Sequence, residues 1–161
     1  MNKCLLTALL FVPSSAFAIG VHISPEYKVG LLEGAGLQLG VTNVWGMDAV
    51  YGSYHEMSES NSVYEHTTTA YRVGAQKMFG QNSRFGFQAE IGYAEYEGQR
   101  DFWGQKERSK GGLSLGGAYV YQVNEMIGLR AGMDINLYGM GNTYFTLGAQ
   151  PSFSFGANFH F

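Results

Sequence analysis

The chain of 161 residues contains one cysteine and three prolines, and only 14% of its residues are charged. A lone cysteine excludes a disulfide scaffold, and so little charge and proline beside 45% hydrophobic residues excludes a disordered chain. Basic residues number 10 against 13 acidic ones, a formal net charge of -3, so the basic field that captures nucleic acid is missing. After Ile19 no window holds a 3.6-residue period or approaches the roughly 20 apolar residues of a membrane-spanning helix. What the chain does have is 23 glycines, 11 tyrosines and 11 phenylalanines, the composition of a sheet protein. Its length suits one domain, hardly two.

The N-terminus reads as an export signal. Met1, Asn2 and Lys3 form a short positive region, Cys4 to Val12 an apolar stretch, and Ala16-Phe17-Ala18 a small-residue cleavage site. Removal of residues 1–18 is expected to leave a domain of residues 19–161 with no cysteine. Cys4 stands at the front of the apolar stretch, where it cannot become the acylated residue of a lipoprotein.

Beyond Ile19 the repeating signal is alternation with a period of two. Ile127, Leu129, Ala131, Met133, Ile135 and Leu137 oppose Gly128, Arg130, Gly132, Asp134, Asn136 and Tyr138, because successive strand side chains face opposite sides. Phe153, Phe155, Ala157, Phe159 and Phe161 likewise oppose Ser154, Gly156, Asn158 and His160. Further two-faced segments run through Ile19 to Val29, Leu37 to Val41, Thr67 to Gln76, Phe85 to Tyr93 and Leu113 to Gln122. Pro25 lacks an amide hydrogen and predicts a bulge in the first of these. The segment Asp48 to His55 is extended, but Ala49 and Tyr51 compete with Val50 and Tyr54 for its apolar face.

These make eight strands. Short turns are expected near Asn43 to Met47, Gly80 to Arg84 and Gln122 to Met126, and longer loops near Glu56 to Ser62, Gly98 to Lys110 and Gly139 to Gln150. Only the first hairpin loop, near Leu31 to Ala35, is short for its side. Short turns at one end, long loops at the other and strands near ten residues predict an all-β, eight-stranded antiparallel up-and-down transmembrane barrel.

Charge decides which face is inside. The polar faces carry Lys28, Arg72 and Arg130 against Glu26, Glu90 and Asp134. A lumen can pair such groups, whereas Lys or Arg facing mid-membrane lipid costs about 2–4 kcal/mol. Aromatics fall into two expected girdles, with Trp45, Phe79, Phe85, Tyr121, Phe159 and Phe161 by the short turns and Tyr27, Tyr64, Tyr93 and Tyr138 toward the loops. The closing run Gly156-Ala157-Asn158-Phe159-His160-Phe161 resembles the terminal assembly signal of bacterial outer-membrane proteins, carried by Phe159 and Phe161. In architecture residues 19–161 resemble the small barrels of the OmpX/Ail type and the membrane domain of OmpA. The resemblance implies a monomer in the bacterial outer membrane, inserted by the barrel-assembly machinery and surrounded by outer-membrane lipids and lipopolysaccharide. It implies a structural or surface-interaction role, in envelope stability, adhesion or lipopolysaccharide contact.

Eight strands enclose an interior that side chains can fill. Glu26, Lys28, Arg72, Glu90, Arg130 and Asp134, helped by Gln76, Gln88 and Asn136, are expected to plug it; a small gated channel is the alternative. Arg100, Lys106, Arg108 and Lys110, interleaved with Phe102 and Trp103, form a basic run suited to lipopolysaccharide phosphates. A lipid A-modifying enzyme would need a nucleophile, a base and an acidic orienter. The one candidate cluster is His55, Glu56, Ser58, Ser60, Ser62, Glu65 and His66, where the two histidines could also meet across a hairpin as a weak metal site. Ordinary loop composition explains that cluster more simply, so no catalytic residue, metal or cofactor is assigned. Gly34-Ala35-Gly36 and Gly139-Met140-Gly141 do not continue into phosphate-binding loops.

Overall fold

A computed structural model describes residues 19–61, 64–80, 84–101, 105–139 and 148–161. They form eight antiparallel strands closed in sequence order into one barrel: β1 Val21–Gly30, β2 Glu33–Val44, β3 Met47–Asn61, β4 Tyr64–Phe79, β5 Phe85–Asp101, β6 Gln105–Gln122, β7 Ile127–Leu137 and β8 Ala149–His160. Residues 1–18, including the expected export signal, lie outside the described part. Phe161 closes the seam, its amide donating to the carbonyl of Val21 at 3.0 Å and its carbonyl accepting from Val21 at 2.8 Å.

Register is constant along every strand pair. Pro25 stands opposite Leu37 in an unbroken β1–β2 ladder, and the β1–β8 pairing keeps one register on both sides of it, Ile23 with Phe159 and Glu26 with Gly156. The expected bulge is therefore absent. The missing amide hydrogen costs only local pairing with β8, which lapses at Ser24 and Pro25.

Among the described side chains, even-numbered residues of β1, β2 and β4 to β8 face inward and odd-numbered ones outward; in β3 the parity is reversed. That settles the segment from Asp48 to His55: Ala49, Tyr51, Ser53 and His55 point into the lumen, while Val50, Gly52 and Tyr54 face out. The outward set is apolar and exposed, with Val73, Phe85 and Tyr119 at 65%, 66% and 76% accessibility. The inward set is polar and buried. This inverts a water-soluble protein and matches a barrel solvated by lipid.

The strands differ in length. β1 and β7 have 10 and 11 residues, enough to span the hydrocarbon. β5 and β6 have 17 and 18, and β3 and β4 have 15 and 16. The surplus of about six residues per strand, some 20 Å, stands beyond the membrane as a four-stranded sheet. Glu56 to Asn61 and most of Gly98 to Lys110, expected as loops, are thus strand; only 62–63 and 102–104 in those hairpins lie outside the described residues.

Candidate functional site

Inward alternation brings the six predicted charged residues to one level of the lumen, and the register turns them into a closed ring of alternating sign. Lys28 sits between Glu26, at 3.7 Å, and Asp134, to which its Nζ donates. Asp134 also accepts from Arg72, whose Nη1 lies 3.5 Å from Glu90. Glu90 is 3.6 Å from Arg130, and Arg130 pairs with Glu26 to complete the circuit. No side chain of the six is more than 1% exposed. Each charge touches two of opposite sign and the ring sums to zero, which is how ions are held where water cannot solvate them.

His55 is the member that sequence reasoning placed elsewhere. Its Nδ1 lies 2.8 Å from Glu26 and its Nε2 3.6 Å from Glu90, so it spans the ring between two carboxylates. Gly36 makes room: a Cβ there would collide with His55 Nδ1. Tyr51 and Ser53 each donate to Glu90 at 3.2 Å, and Gln38 Nε2 donates to it at 2.6 Å. The inward direction of Tyr51, Ser53 and His55 follows only from the face of β3.

Below the ring, toward the short turns, lies a layer of amides and histidines. Gln88 and Asn158 both donate to Gln76 Oε1 at 2.9 Å, Ser24 donates to Asn158 at 2.7 Å, and His22 packs against His160 with ring nitrogens 2.9 Å apart. Above the ring, Arg72 Nε donates to Ser114 at 2.6 Å and Ser114 to Asn136 at 2.6 Å. Toward the outer mouth Ala70, Ala94, Tyr96 and Tyr138 form a buried apolar cluster, and Leu32 and Met57 are buried as well, all at most 4% exposed. Tyr138 thus belongs to the lumen cap and not to the outer girdle, because its even position carries on the inward parity of β7. The outer girdle holds Tyr27 and a row of cross-strand neighbours, Tyr54, Tyr71 and Tyr93; the side chain of Tyr64 lies outside the described part.

The second-hairpin cluster does not assemble. His55 stands across from Ala70 and His66 from Glu59, four residues and about 13 Å apart along the strand. His66 lies above the membrane, its Nδ1 2.8 Å from the Tyr96 hydroxyl, and burial lowers its pKa while Glu59 opposes the shift. Glu56, Ser58, Ser60 and Glu65 are exposed, and Ser62 lies outside the described residues. A Ser-His-Glu connectivity does arise inside, with His55 Nε2 3.0 Å from Ser53 Oγ. That hydroxyl belongs to a buried residue and donates to Glu90. Among the described residues no three histidines, cysteines or carboxylates gather as a metal site.

The basic run falls on two paired strands: Arg100 is opposite Lys106, Gly98 opposite Arg108, and Tyr96 opposite Lys110. Lys110 is exposed; the side chains of the other three, and all of Phe102 and Trp103, lie outside the described part. Glu56, Glu65, Glu95 and Glu97 are exposed on the outward face of the same sheet.

No family model and no curated protein sequence matches the chain. Solved structures do. The N-terminal β-barrel domain of Pseudomonas aeruginosa OprF aligns with a TM-score of 0.60 at 16% identity, over 88% of this chain and 97% of that one. The fold is that of the small eight-stranded outer-membrane barrels. Ail, the attachment invasion locus protein of Yersinia pestis, aligns at 0.60 with 14% identity over 89% and 96% of the two chains. A major outer membrane protein from Thermus thermophilus aligns at 0.66 with 11% identity over 90% of this chain and all of its own. At such identities the likeness is one of fold.

Proposed function

We propose that the chain is a non-enzymatic bacterial outer-membrane barrel: a sealed structural element of the envelope that carries a rigid interaction sheet on the cell surface. Residues 1–18 are removed on export. The barrel-assembly machinery reads the strand ending in Phe159 and Phe161, and the product is a monomer. The observation that carries the reading is the sheet of β3 to β6 standing on a lumen filled by a neutral ionic ring. Among the described residues the Gln105 to Gly112 edge of β6 has β5 on one side and no strand on the other, since β7 joins it only from Leu113.

Arg100, Lys106, Arg108 and Lys110 are the residues proposed to meet anionic sugars or lipopolysaccharide phosphates, through charge-assisted hydrogen bonds. Ail has been solved with the heparin analogue sucrose octasulfate, at a TM-score of 0.56 and 15% identity, which supports a polyanion as the class of partner. The test is binding of lipopolysaccharide and of sucrose octasulfate to the barrel in lipid nanodiscs. Replacing all four basic residues with glutamine is expected to weaken binding at least tenfold while heat-modifiable gel migration is kept. Equal binding by parent and variant would refute the assignment. Planar-bilayer recordings separate the channel reading: no steady openings are expected, and reproducible unitary conductance would refute the seal.

A further inference from the structure

Strand register sets the height of every outward side chain. Followed from partner to partner around the barrel, the ladder leaves β1 at Val21, passes Val50, Ala89 and Met133, and returns to β1 at Val29, eight residues on. Each step to the next strand therefore climbs by one residue. An offset of eight residues over eight strands corresponds to a strand tilt of about 36° and a rise of about 2.7 Å per residue along the barrel axis. Residues on different strands can then be compared level by level.

Two sectors carry opposite chemistry at the same levels. At the short-turn rim Asp48 and Lys77 face outward, 3.5 Å apart, with side chains 34% and 48% exposed. Level with Asp48 are Phe85 and Ile127, and level with Lys77 are Tyr121 and Phe159. On β4 the exposed Phe79 lies beyond Lys77, so the ion pair interrupts the outward apolar surface and does not simply end it. At the outer rim the contrast recurs. Glu56 is level with Ile135, while Glu33 and Thr69 are level with Leu113 and Pro151. Glu33 accepts from the Tyr27 hydroxyl at 3.0 Å and Glu56 from the Tyr54 hydroxyl at 2.6 Å, which holds both carboxylates against the girdle. Between Asp48 and Glu56, a rise of about 22 Å, β3 turns only Val50, Gly52 and Tyr54 outward. From Ile127 to Leu137, about 27 Å, β7 is apolar outward throughout.

An apolar band of about 25 Å therefore fits β7 and overruns the charges on β3. Tilting the whole barrel cannot reconcile the two sectors, because tilt moves both rims of a sector the same way, and β2 to β4 are polar at both. A bilayer meets a short hydrophobic stretch by thinning. We propose that the protein thins the outer membrane on one side, so that lipids beside β2 to β4 hold a shorter hydrocarbon layer than those beside β6 to β8. The proposal rests on the membrane placement above.

Its test is label depth in vesicles. Residues 19–161 contain no cysteine, so Val73→Cys on β4 and Met133→Cys on β7 each accept a single nitroxide. Both positions face outward, 65% and 57% exposed, and their levels differ by one residue. Power-saturation EPR in dioleoylphosphatidylcholine vesicles, with oxygen and a nickel chelate as collision partners, reads the depth. The label at 73 should lie about 3 Å or more nearer the bilayer surface than the label at 133, and the difference should shrink in dilauroylphosphatidylcholine, whose bilayer is already thin. Equal depths would overturn the proposal, as would two equally shallow labels, the signature of a tilted barrel. Asp48→Leu, Glu56→Leu and Lys77→Leu together should deepen the label at 73, and an unchanged depth would overturn the role of these charges in setting the rims. Labels that favour oxygen at neither site would overturn the membrane placement and the thinning with it.

Discussion

Breaking the ionic ring at one member should be far more damaging than removing two members of opposite sign. Arg72 holds Asp134 and Glu90, donates to Ser114 at 2.6 Å and reaches Asn136 at 3.4 Å. Arg72→Met removes one positive charge from a balanced set of six and leaves the ring with one net negative charge in a site closed to water. Stripping one partner from a buried ion pair costs about 3–5 kcal/mol. Exposure of at most 1% leaves no solvent screening to discount that figure. Against a typical total stability of about 5–15 kcal/mol the loss is large. Glu90→Gln has the opposite sign and leaves one net positive charge. The double variant restores neutrality, with Asp134, Lys28, Glu26 and Arg130 still paired in an open chain, so its cost should fall at least about 2 kcal/mol short of the sum of the singles, a coupling within the usual range for touching residues. Urea unfolding in vesicles, followed by the loss of heat-modifiable gel migration, measures all three. Single variants costing less than about 1 kcal/mol, or a double variant equal to their sum, would refute the ring as an energetic unit.

Two further outcomes follow from the inverted surface and the crowded lumen. Ile91 is 54% exposed on the outward face, and Ile91→Arg should destabilise the barrel by about 2–4 kcal/mol in vesicles, where an exposed site on a water-soluble protein would change by under about 0.5 kcal/mol. A neutral result in the vesicle urea titration would mean that this face does not meet lipid. Gly36→Ala puts a methyl group against His55 Nδ1 and the Glu26 side chain, and an overpacking cost of about 1–3 kcal/mol is expected by the same titration. Parent-like stability would mean that His55 is not held between Glu26 and Glu90.

Strand number, barrel type and the inward direction of Glu26, Lys28, Arg72, Glu90, Arg130 and Asp134 were legible because lipid and lumen impose opposite polarity on adjacent residues. That contrast fails in two places. At Ala49 to Tyr54 small, aliphatic and aromatic residues occupy both faces, and only pairing with Arg72 and Gly74 on β4 tells which is inward. Above the outer girdle the outward sheet face meets water in place of lipid, so β3 to β6 lose their apolar outward residues there and Glu56 to Asn61 resembles a loop. His55 ends the segment with no assignable face and groups by sequence with the polar cluster of that hairpin, which conceals its place beside Glu26. The closure of the ring was not legible at all: it joins β1, β4, β5 and β7 around a circumference, and no spacing along the chain encodes that meeting.

The seal and the outer sheet depend on one another. Four strands standing clear of a barrel, with at least one edge unpaired among the described residues, have little stability unless a face is packed. The packed face is the cap: Met57, Ala70, Ala94 and Tyr96 come from the long strands, while Leu32 comes from the turn after β1 and Tyr138 directly follows β7. The Tyr138 hydroxyl lies 3.4 Å from Thr68 Oγ1 and 3.3 Å from Gln150 Oε1, within hydrogen-bond reach of both β4 and β8 across the mouth. The residues that keep ions from the ring are therefore those that hold the sheet upright. A lumen wide enough to conduct would need Tyr96 and Tyr138 to part, and the sheet would lose its base in the same movement. A sealed barrel is thus what this surface sheet requires, which is the physical reason to favour the interaction reading over the channel.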